Sequence, residues 1–308
     1  MEKKTIREIA SAWKEDKRPY VKRSTFAAYM LILENHILPY FGEYYVLKEN
    51  YVQDFVLQKL NSGLSIKSVK DILIVLKMMM KFGVKHEWMS YCEWDIKYPT
   101  TESIKSLEVL TITNHRKILN YIRKNFTCRN LGVYISLSTG LRIGEICALK
   151  WSDIDTDNAI VTVSRTIERI YIVEGEEKHT ELVINTPKTK NSYREIPITK
   201  ELLAIVKPLK KVVNNKYYVL TNEEKPTEPR TYRNYYKQLM DKLEIPKLKY
   251  HGLRHSFATR CIESNCDYKT VSVLLGHSNI TTTLNLYVHP NMEQKKRCIA
   301  KMFKSLGI

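Results

Sequence analysis

The stretch TGLRIGE, residues 139–145, organises the second half of the chain. Gly140 is the kind of residue that ends a helix, and Arg142 then falls in the opening turn of a new helical segment that we expect over residues 142–149. Free N–H groups at the start of a helix attract anions, and a guanidinium binds two oxygens of a phosphate at once. The stretch therefore predicts a helix break that presents an arginine to an anion.

The sequence around this break predicts a mixed region of helices and short strands. Helical spacing of apolar residues begins after Thr113 and reaches Leu137. Segments rich in Val, Ile and Thr predict the strands of a small antiparallel sheet at Ala159–Ser164, Glu181–Asn185 and Arg194–Ile198. Helical spacing returns at Glu201–Val213, Arg230–Leu243, His251–Ile262, Tyr268–Leu275 and Met292–Phe303.

The sequence predicts helix over almost all of the first 90 residues. Apolar residues at helical spacing predict four amphipathic helices, which include residues 6–13, 26–37, 51–60 and 65–85. We expect the second helix to begin after an N-cap at Ser24 and to end at Pro39. Four such helices form a small bundle.

A segment without sustained periodicity, Tyr91–Glu108, separates the two regions. The predicted fold class is mainly α with a small antiparallel β-sheet. We predict a helical domain over residues 1–98, a linker over 99–109 and a second domain over 110–308.

The charge of the chain points to a polyanionic partner. Lys and Arg number 50 against 33 Asp and Glu, which gives a net charge of +17, so nucleic acid is the first expectation and an anionic membrane the second. Residues 1–98 carry 16 basic and 12 acidic residues, and residues 99–308 carry 34 and 21, so the net charges are +4 and +13. Two basic halves favour a clamp around a single polyanion.

The membrane alternative is the weaker one. The most apolar runs, Ile72–Leu76 and Met78–Met80, are broken by lysines and fall far short of the roughly 20 residues that span a bilayer. The N-terminus lacks the pattern of a secretion signal. We therefore expect a cytoplasmic protein with no membrane partner.

Cysteine usage gives no sign of a metal site or a disulfide framework. The six cysteines are scattered without a CxxC pair, which is typical of reduced thiols in the cytosol. We expect no metal ion and no cofactor.

Residues suited to phosphate chemistry are concentrated in the second region. The stretch HGLRH places His251 and Arg254 three residues apart, so both can project from one side of a helix start. An imidazole beside a guanidinium suits a phosphate, because the arginine binds oxygens and the histidine donates or exchanges a proton. His277 follows in LLGH, and Tyr287 lies ten residues further on.

The chain resembles the tyrosine recombinase (phage integrase) family over its whole length. The resemblance is carried by the motifs TGLRIGE, HGLRH and LLGH and by the tyrosine segment, in this order. The family's set of residues corresponds here to Arg142, Lys188, His251, Arg254, His277 and Tyr287. The resemblance implies a helical, SAM-like core-binding domain followed by a mixed α/β catalytic domain. It also implies a site-specific DNA recombinase that cuts and rejoins duplex DNA through a 3′-phosphotyrosyl intermediate without metal or ATP.

The resemblance implies a role for each residue of the set. Arg142 and Arg254 would clamp the scissile phosphodiester and stabilise its pentacoordinate transition state. Tyr287 would be the nucleophile, and His251 would exchange its proton, since a phenol with a pKa of about 10 is mostly un-ionised at neutral pH. His277 would donate a hydrogen bond to a non-bridging phosphate oxygen.

Other residues near the motifs leave alternatives open. Lys188 would protonate the 5′-hydroxyl leaving group, with Lys190 as the competing candidate. Glu145 either orients the site or forms a surface ion pair with Arg142. We expect His255 and His289 to be structural or to contact the phosphate backbone.

The resemblance also implies partners: duplex DNA, copies of the chain as a tetramer on two sites, and a directionality factor. The compact length resembles Xer-type chromosome or plasmid dimer resolvases, whereas the longer segment Thr166–Leu182 favours an integrase of a phage or mobile element, which is our main interpretation. Many integrases of the family carry an additional N-terminal arm-binding domain, whereas the helices predicted here begin near residue 5, which argues against regulation through arm sites. A type IB topoisomerase and a non-enzymatic architectural DNA-binding protein are the remaining alternatives.

Overall fold

The protein forms two compact units. The computed structural model describes residues 3–100, 107–174, 177–185, 193–287 and 292–306. Residues 1–104 and 169–181 form the first unit, called here the helical unit, and residues 105–168 and 182–308 form the C-terminal unit. Residues 101–106, inside the predicted linker, lie outside the described residues.

The helical unit contains the predicted bundle. Its helices are α1 (Ile6–Lys17), α2 (Arg23–Ile32), α3 (Leu38–Phe41), α4 (Glu49–Asn61) and α5 (Ile66–Lys85). Thr5 and Glu8 form a reciprocal capping box at the start of α1, and the Ser65 hydroxyl caps α5. Ile9, Leu76 and their neighbours on the inner faces are fully buried in one apolar core.

The second predicted helix differs from the expectation at both of its ends. Lys22, not Ser24, occupies the N-cap of α2, and the helical path continues past Pro39 to the end of α3. A π-helical segment, Leu33–Ile37, connects α2 and α3. A proline has no N–H to donate, and the π turn interrupts the regular hydrogen-bond ladder where that donor is missing, so the chain passes the proline without ending the helix.

Two non-helical segments pack onto the helical unit. The indole Nε1 of Trp94 donates a hydrogen bond to the carbonyl of Leu47 at 3.0 Å, and the Trp94 side chain is buried. Tyr171, from the 169–181 segment, packs against the same core, and Glu181 forms an ion pair with Arg23 at 2.6 Å. The bundle is therefore completed by chain from beyond its helices.

The C-terminal unit surrounds a second apolar core. Its helices are α6 (Ile112–Lys124), α7 (Cys128–Thr139), α8 (Ile143–Cys147), α9 (Lys200–Lys210), α10 (Pro229–Lys242), α11 (His251–Glu263), α12 (Tyr268–Leu275), α13 (Ile280–Tyr287) and α14 (Met292–Ser305). The segment predicted to continue to Leu137 is two helices, because the chain breaks after α6 and Thr127 caps α7. The helical spacing of the sequence did not predict α13.

The strands form two sheets rather than the single small sheet expected. The strands are β1 (Ile154–Asp155), β2 (Ile160–Val163), β3 (Thr166–Glu174), β4 (Glu177–Asn185) and β5 (Arg194–Pro197). Antiparallel pairing orders one sheet as β1-β2-β5, with Val161 opposite both Ile154 and Ile196. The predicted strand at Glu181–Asn185 instead pairs with β3 in a separate two-stranded sheet. The antiparallel, mainly helical class is confirmed.

Within the described ranges, the structure contains no helix whose length and apolar character would allow it to cross a membrane.

Two glycines with a left-handed backbone conformation end helices within the TGLRIGE and LLGH motifs. Gly140 ends α7 with φ of 67°, and Gly276 ends α12 with φ of 64°. A Cβ on Gly140 would lie 2.6 Å from a ring carbon of Phe257 and 2.9 Å from a methyl carbon of Leu275. Both the backbone conformation and the packing therefore require glycine before Arg142.

The Gly140→Ala variant should be destabilised more than Gly63→Ala. Gly63 also has a positive φ, of 91°, but a Cβ there would have nothing within 4 Å, so its alanine variant bears only the strain of a left-handed residue, about 1–2 kcal/mol. In Gly140→Ala the displacement of Phe257 and Leu275 adds to that strain. Calorimetric unfolding of both variants checks the comparison, and equal losses of stability would contradict it.

Candidate functional site

Arg142 lies at the N-cap of α8, as the helix break predicted. Its backbone N–H donates to Oε2 of Glu145 at 2.8 Å, and its Nη1 donates to Oε1 of the same carboxylate at 2.9 Å. Nη2 lies 3.4 Å from the carbonyl of Gly276. The Arg142 side chain keeps 38% of its surface exposed, so one part of the guanidinium is held while another faces solvent.

Glu145 is buried between two arginines. Arg194, from β5, donates through Nη2 to Oε2 at 2.9 Å and through Nη1 to Oε1 at 3.1 Å, while its Nε donates to the carbonyl of Leu274 at 2.7 Å. Burial by itself raises the pKa of Glu145, but the hydrogen bonds and charge of Arg194, with those of Arg142, outweigh it and hold the pKa below its usual value. Glu145 is thus an ionised, buried anchor and not a surface ion-pair partner.

Arg254 is buried between the ends of two helices. Its Nη1 donates to the carbonyl of Gly140 at 2.9 Å, and its Nη2 donates to the carbonyl of Leu275 at 2.6 Å. Carbonyls at helix C-termini carry partial negative charge and favour a cation. Burial and the neighbouring Arg142 lower the pKa of Arg254 to about 9, which leaves the guanidinium charged at neutral pH.

Two histidines of the predicted set stay neutral in this environment. His277 follows the left-handed Gly276, and its Nδ1 lies 2.8 Å from the hydroxyl of the fully buried Thr283 on α13. Loss of solvent and the charges of Arg254 and Arg142 lower the pKa of His277 to about 4. His251, at the start of α11, keeps part of its surface exposed, but partial burial and the adjacent His255 and Arg254 lower its pKa to about 4 as well.

Tyr287, the last residue of α13, meets a histidine that was not in the predicted set. The Tyr287 hydroxyl lies 2.7 Å from Nδ1 of His255, and the Tyr287 side chain is 8% exposed. Burial raises the pKa of Tyr287 above its ordinary value, while the charges of Arg254 and Arg142 act in the opposite direction. The hydroxyl is therefore within the electrostatic influence of both guanidinium groups.

The structure brings together five of the six predicted residues. Arg142, His251, Arg254, His277 and Tyr287 share one region of the C-terminal unit, where their charges influence one another. Lys188, its competitor Lys190, and His289 lie outside the described residues.

Sequence reasoning missed the contacts of two residues, that of Arg194 with Glu145 and that of His255 with Tyr287. The sequence predicts Arg194 only as the first residue of a strand, although a cation in a buried strand position needs a carboxylate partner such as Glu145. His255 lies four residues after His251, on the same face of α11, and that spacing was a usable signal. The rings of His251 and His255 are in edge-to-face contact at 4.5 Å.

This arrangement suits a bound phosphate diester. Arginines, histidines and a buried hydroxyl surround one location, and positive charge exceeds negative charge among the groups described. A phosphate oxygen gains charge-assisted hydrogen bonds there, and a tyrosine oxygen is at hand as a nucleophile. Among the described residues, no group of three or more His, Cys, Asp and Glu side chains is arranged to hold a metal ion.

Family comparisons cover most of the chain. Residues 108–294 match the model described as the phage integrase family, and residues 5–60 match the model described as the phage integrase N-terminal SAM-like domain.

Individual relatives agree with these matches. The chain is 30% identical to the tyrosine recombinase XerC-like protein of Caldanaerobacter subterraneus subsp. tengcongensis, over 90% of this chain and 77% of the relative. It is 26% identical to the ICEBs1 integrase of Bacillus subtilis, over 86% of this chain and 74% of that protein. It also spans 64% of the transposase from transposon Tn916 of Enterococcus faecalis, at 24% identity.

Solved structures share the fold. The Tn1549 transposon integrase in complex with transposon right end DNA superimposes with a TM-score of 0.78 at 21% identity, covering 97% of this chain and 99% of that one. A lambda integrase dimer bound to a COC′ core site gives a TM-score of 0.64 at 16% identity, covering 92% and 95%. The phage integrase family model matches more than half of the residues of this chain. The chain therefore belongs to the phage integrase family, the tyrosine recombinases.

Proposed function

We propose that this tyrosine recombinase is the integrase of a phage or mobile element and that it cuts and rejoins duplex DNA at specific sites. The observation that carries the proposal is the position of the Tyr287 hydroxyl, which is buried and lies within the electrostatic influence of Arg254 and Arg142. A nucleophile and a phosphate-binding cluster in one place are what strand cleavage requires.

Arg142 and Arg254 are proposed to hold the non-bridging oxygens of the scissile phosphate. Glu145 orients Arg142, and the carbonyls of Gly140 and Leu275 orient Arg254. Guanidinium groups held this way need little rearrangement as negative charge builds up in the pentacoordinate transition state. His277, fixed by Thr283, is proposed to donate a further hydrogen bond to a phosphate oxygen.

The cleavage step conserves the phosphodiester. The oxygen of Tyr287 bonds to phosphorus, the bond from phosphorus to the 5′-oxygen breaks, and the products are a 3′-phosphotyrosyl link and a free 5′-hydroxyl. Lys188 is proposed to give its proton to the leaving 5′-oxygen. Attack by the 5′-hydroxyl of a partner strand reverses these changes, so rejoining requires no ATP.

Duplex DNA is the proposed partner of both predicted domains. The net charges of +4 over residues 1–98 and +13 over residues 99–308 favour contacts to phosphates from each. The Tn1549 and lambda integrase structures contain DNA, which supports the same partner here. The proposal also includes a directionality factor, a partner protein that would favour excision over integration or the reverse.

An Xer-type resolvase is the second candidate, favoured by the 30% identity to the XerC-like relative. Recombination assays with the DNA that flanks the gene separate the two. An integrase joins two sites with different flanking sequences and leaves hybrid sites, whereas a resolvase converts dimers that carry two copies of one site into monomers.

Assembly into a tetramer is proposed from the C-terminal helix α14. Ile299, Met302, Phe303 and Leu306 recur at helical spacing, and each is between 46% and 64% exposed. Four large apolar side chains on one chain end favour a surface that a neighbouring copy covers. Docking of this segment would link the position of Tyr287, at the end of the preceding helix, to the presence of a partner.

The Tyr287→Phe variant should form no covalent adduct with a nicked suicide substrate, because the attacking oxygen is missing, while duplex binding stays near that of the unaltered protein. Tyr268→Phe, which alters a half-exposed tyrosine on α12, is the matched control and should form the adduct normally. Denaturing gel electrophoresis of end-labelled DNA measures the adduct. An adduct with Tyr287→Phe would remove Tyr287 from the role.

The Lys188→Ala variant should cleave normal DNA slowly and recover most of its rate on a substrate with a 5′-bridging phosphorothiolate, because sulfur leaves without protonation. Lys190→Ala should need no such rescue. Single-turnover rates on the two substrates measure the effect. Rescue of Lys190→Ala in place of Lys188→Ala would transfer the role to Lys190.

The Phe303→Ser variant should weaken the pairing of two protomers on DNA by about tenfold or more. Burial of a side chain of this size contributes about 1.5–3 kcal/mol, and about 1.4 kcal/mol corresponds to a factor of ten. Lys304→Ser, at the next position, is the control and should pair normally. Gel-shift titrations of one and two half-sites separate binding from pairing.

Deletion of residues 297–308 should give a larger loss of pairing while single half-site binding remains. Loss of single-site binding in the truncated protein would mean that the segment belongs to the fold of its own protomer.

A further inference from the structure

We propose that His255 is the catalytic residue that accepts the proton of the Tyr287 hydroxyl during strand cleavage and returns it during ligation. The proposal rests on the proposed role of Tyr287 as the nucleophile. The resemblance to the family implies this proton transfer for His251, the first residue of the HGLRH stretch, so the assignment moves the role by one turn of α11.

The first support is the distance. Nδ1 of His255 lies 2.7 Å from the Tyr287 oxygen, inside the range of about 2.6–3.2 Å within which a general base takes a proton directly. The two rings are 5.6 Å apart and tilted by 54°, so the contact is made through the edge of the imidazole. This contact joins the reacting oxygen directly to the His255 ring.

The second support is the placement of His255 on the helix. It follows Arg254 directly, so one rigid turn of α11 carries both a phosphate-binding guanidinium and the ring that meets the nucleophile. Arg254 is anchored by two carbonyls, and the rings of His251 and His255 pack edge to face with their centroids 4.5 Å apart. His255 is thereby held on its preceding side by His251 and on its other side by Tyr287.

The third support is the protonation state. Partial burial and the charge of Arg254 lower the pKa of His255 below its ordinary value, so a neutral imidazole is available at neutral pH. The pKa of Tyr287 is raised, so the resting proton belongs to the phenol, and with the His255 proton on Nε2 the phenol donates to Nδ1. The other titratable and charged groups around the pair are His251 on α11, Arg142 at α8 and His277 after α12.

The proton balance of the step is complete. As the Tyr287 oxygen bonds to phosphorus, its proton moves to Nδ1 of His255, which becomes an imidazolium with its other proton on Nε2. The 5′-oxygen leaves with a proton from Lys188. In ligation the incoming 5′-hydroxyl gives its proton to Lys188, the phosphotyrosyl bond breaks, and His255 returns the proton to the Tyr287 oxygen.

The test compares His255→Asn, His251→Asn and the unaltered full chain on a nicked duplex that contains the paired repeats flanking the gene. The duplex carries a 5′-bridging phosphorothiolate, so the measured rate reports attack by the tyrosine and not protonation of the leaving group. Asparagine keeps a hydrogen-bonding atom near the position of Nδ1 but cannot take up a proton. We expect His255→Asn to form the adduct at least about 100-fold more slowly, in line with the usual contribution of a general base.

His251→Asn tests the alternative proton acceptor, and its loss of rate on this substrate should be smaller than that of His255→Asn. Tyr268→Phe, at a half-exposed tyrosine on α12, is the control and should form the adduct at the rate of the unaltered protein. A rate for His255→Asn equal to that of the unaltered protein would overturn the proposal. So would a 100-fold loss confined to His251→Asn.

The pH profile gives a readout that a packing role would not change. In the unaltered protein the rate should fall on the acid side as His255 becomes protonated, and because its pKa is lowered, that fall should lie below the usual histidine value of about 6.5. In His255→Asn attack depends on the small phenolate fraction, so the rate should rise steadily with pH toward the raised pKa of Tyr287. Identical profiles would contradict proton transfer to His255.

A second variant separates proton transfer from folding. For His255→Ala, added imidazole should restore adduct formation if the missing ring acts as a base, and should have no effect if the ring only packs. A loss that imidazole leaves unchanged would overturn the proposal. If the unaltered protein forms no adduct, or Tyr287→Phe still forms one, the proposed function fails instead, so the two failures are distinguishable.

Discussion

The buried contact between Glu145 and two arginines is the interaction on which the site depends. Arg142, Arg194 and Arg254 lie close enough to shift the ionisation of their neighbours, and like charges in a partly buried space repel. Glu145 accepts hydrogen bonds from Arg142 and Arg194, and helix-end carbonyls satisfy Arg254. Removal of one partner from such a buried pair typically costs about 3–5 kcal/mol. The positive charge left over is what a phosphate would bind.

The same cluster sets the chemistry of the histidines. Cations nearby make an imidazolium unfavourable, so the pKa values of His251 and His277 fall to about 4. Neutral rings can donate or accept single hydrogen bonds, which suits proton exchange and phosphate contacts better than a further fixed charge does. The arginines thus have two effects. They form the proposed anion site, and their charge keeps the neighbouring histidines neutral.

Much of the fold and of the site was predictable from local signals. The helices α1, α4, α5 and α12 follow their apolar spacing, and Gly140 and Arg142 mark the helix break where the structure has it. Long-range pairings were not predictable, because no local pattern identifies the partner of a strand or of a buried charge. Hence the second sheet of β3 and β4 and the link between Arg194 and Glu145 were missed. The helix α13 was missed because its run of threonines lowers helix propensity, and packing overrides that preference.

The segment 169–181 affects how pieces of such enzymes can be exchanged. It belongs to the helical unit, where Tyr171 packs on the bundle core and Glu181 pairs with Arg23, yet it arrives there from the middle of the chain that forms the C-terminal unit. The two units are therefore interleaved in sequence and are not consecutive modules. A hybrid that takes residues 1–98 from this protein and the remainder from a relative would give the bundle a foreign strand pair against its core. Exchange of the whole helical unit between related genes would then require three crossovers, one after residue 104 and one at each end of residues 169–181.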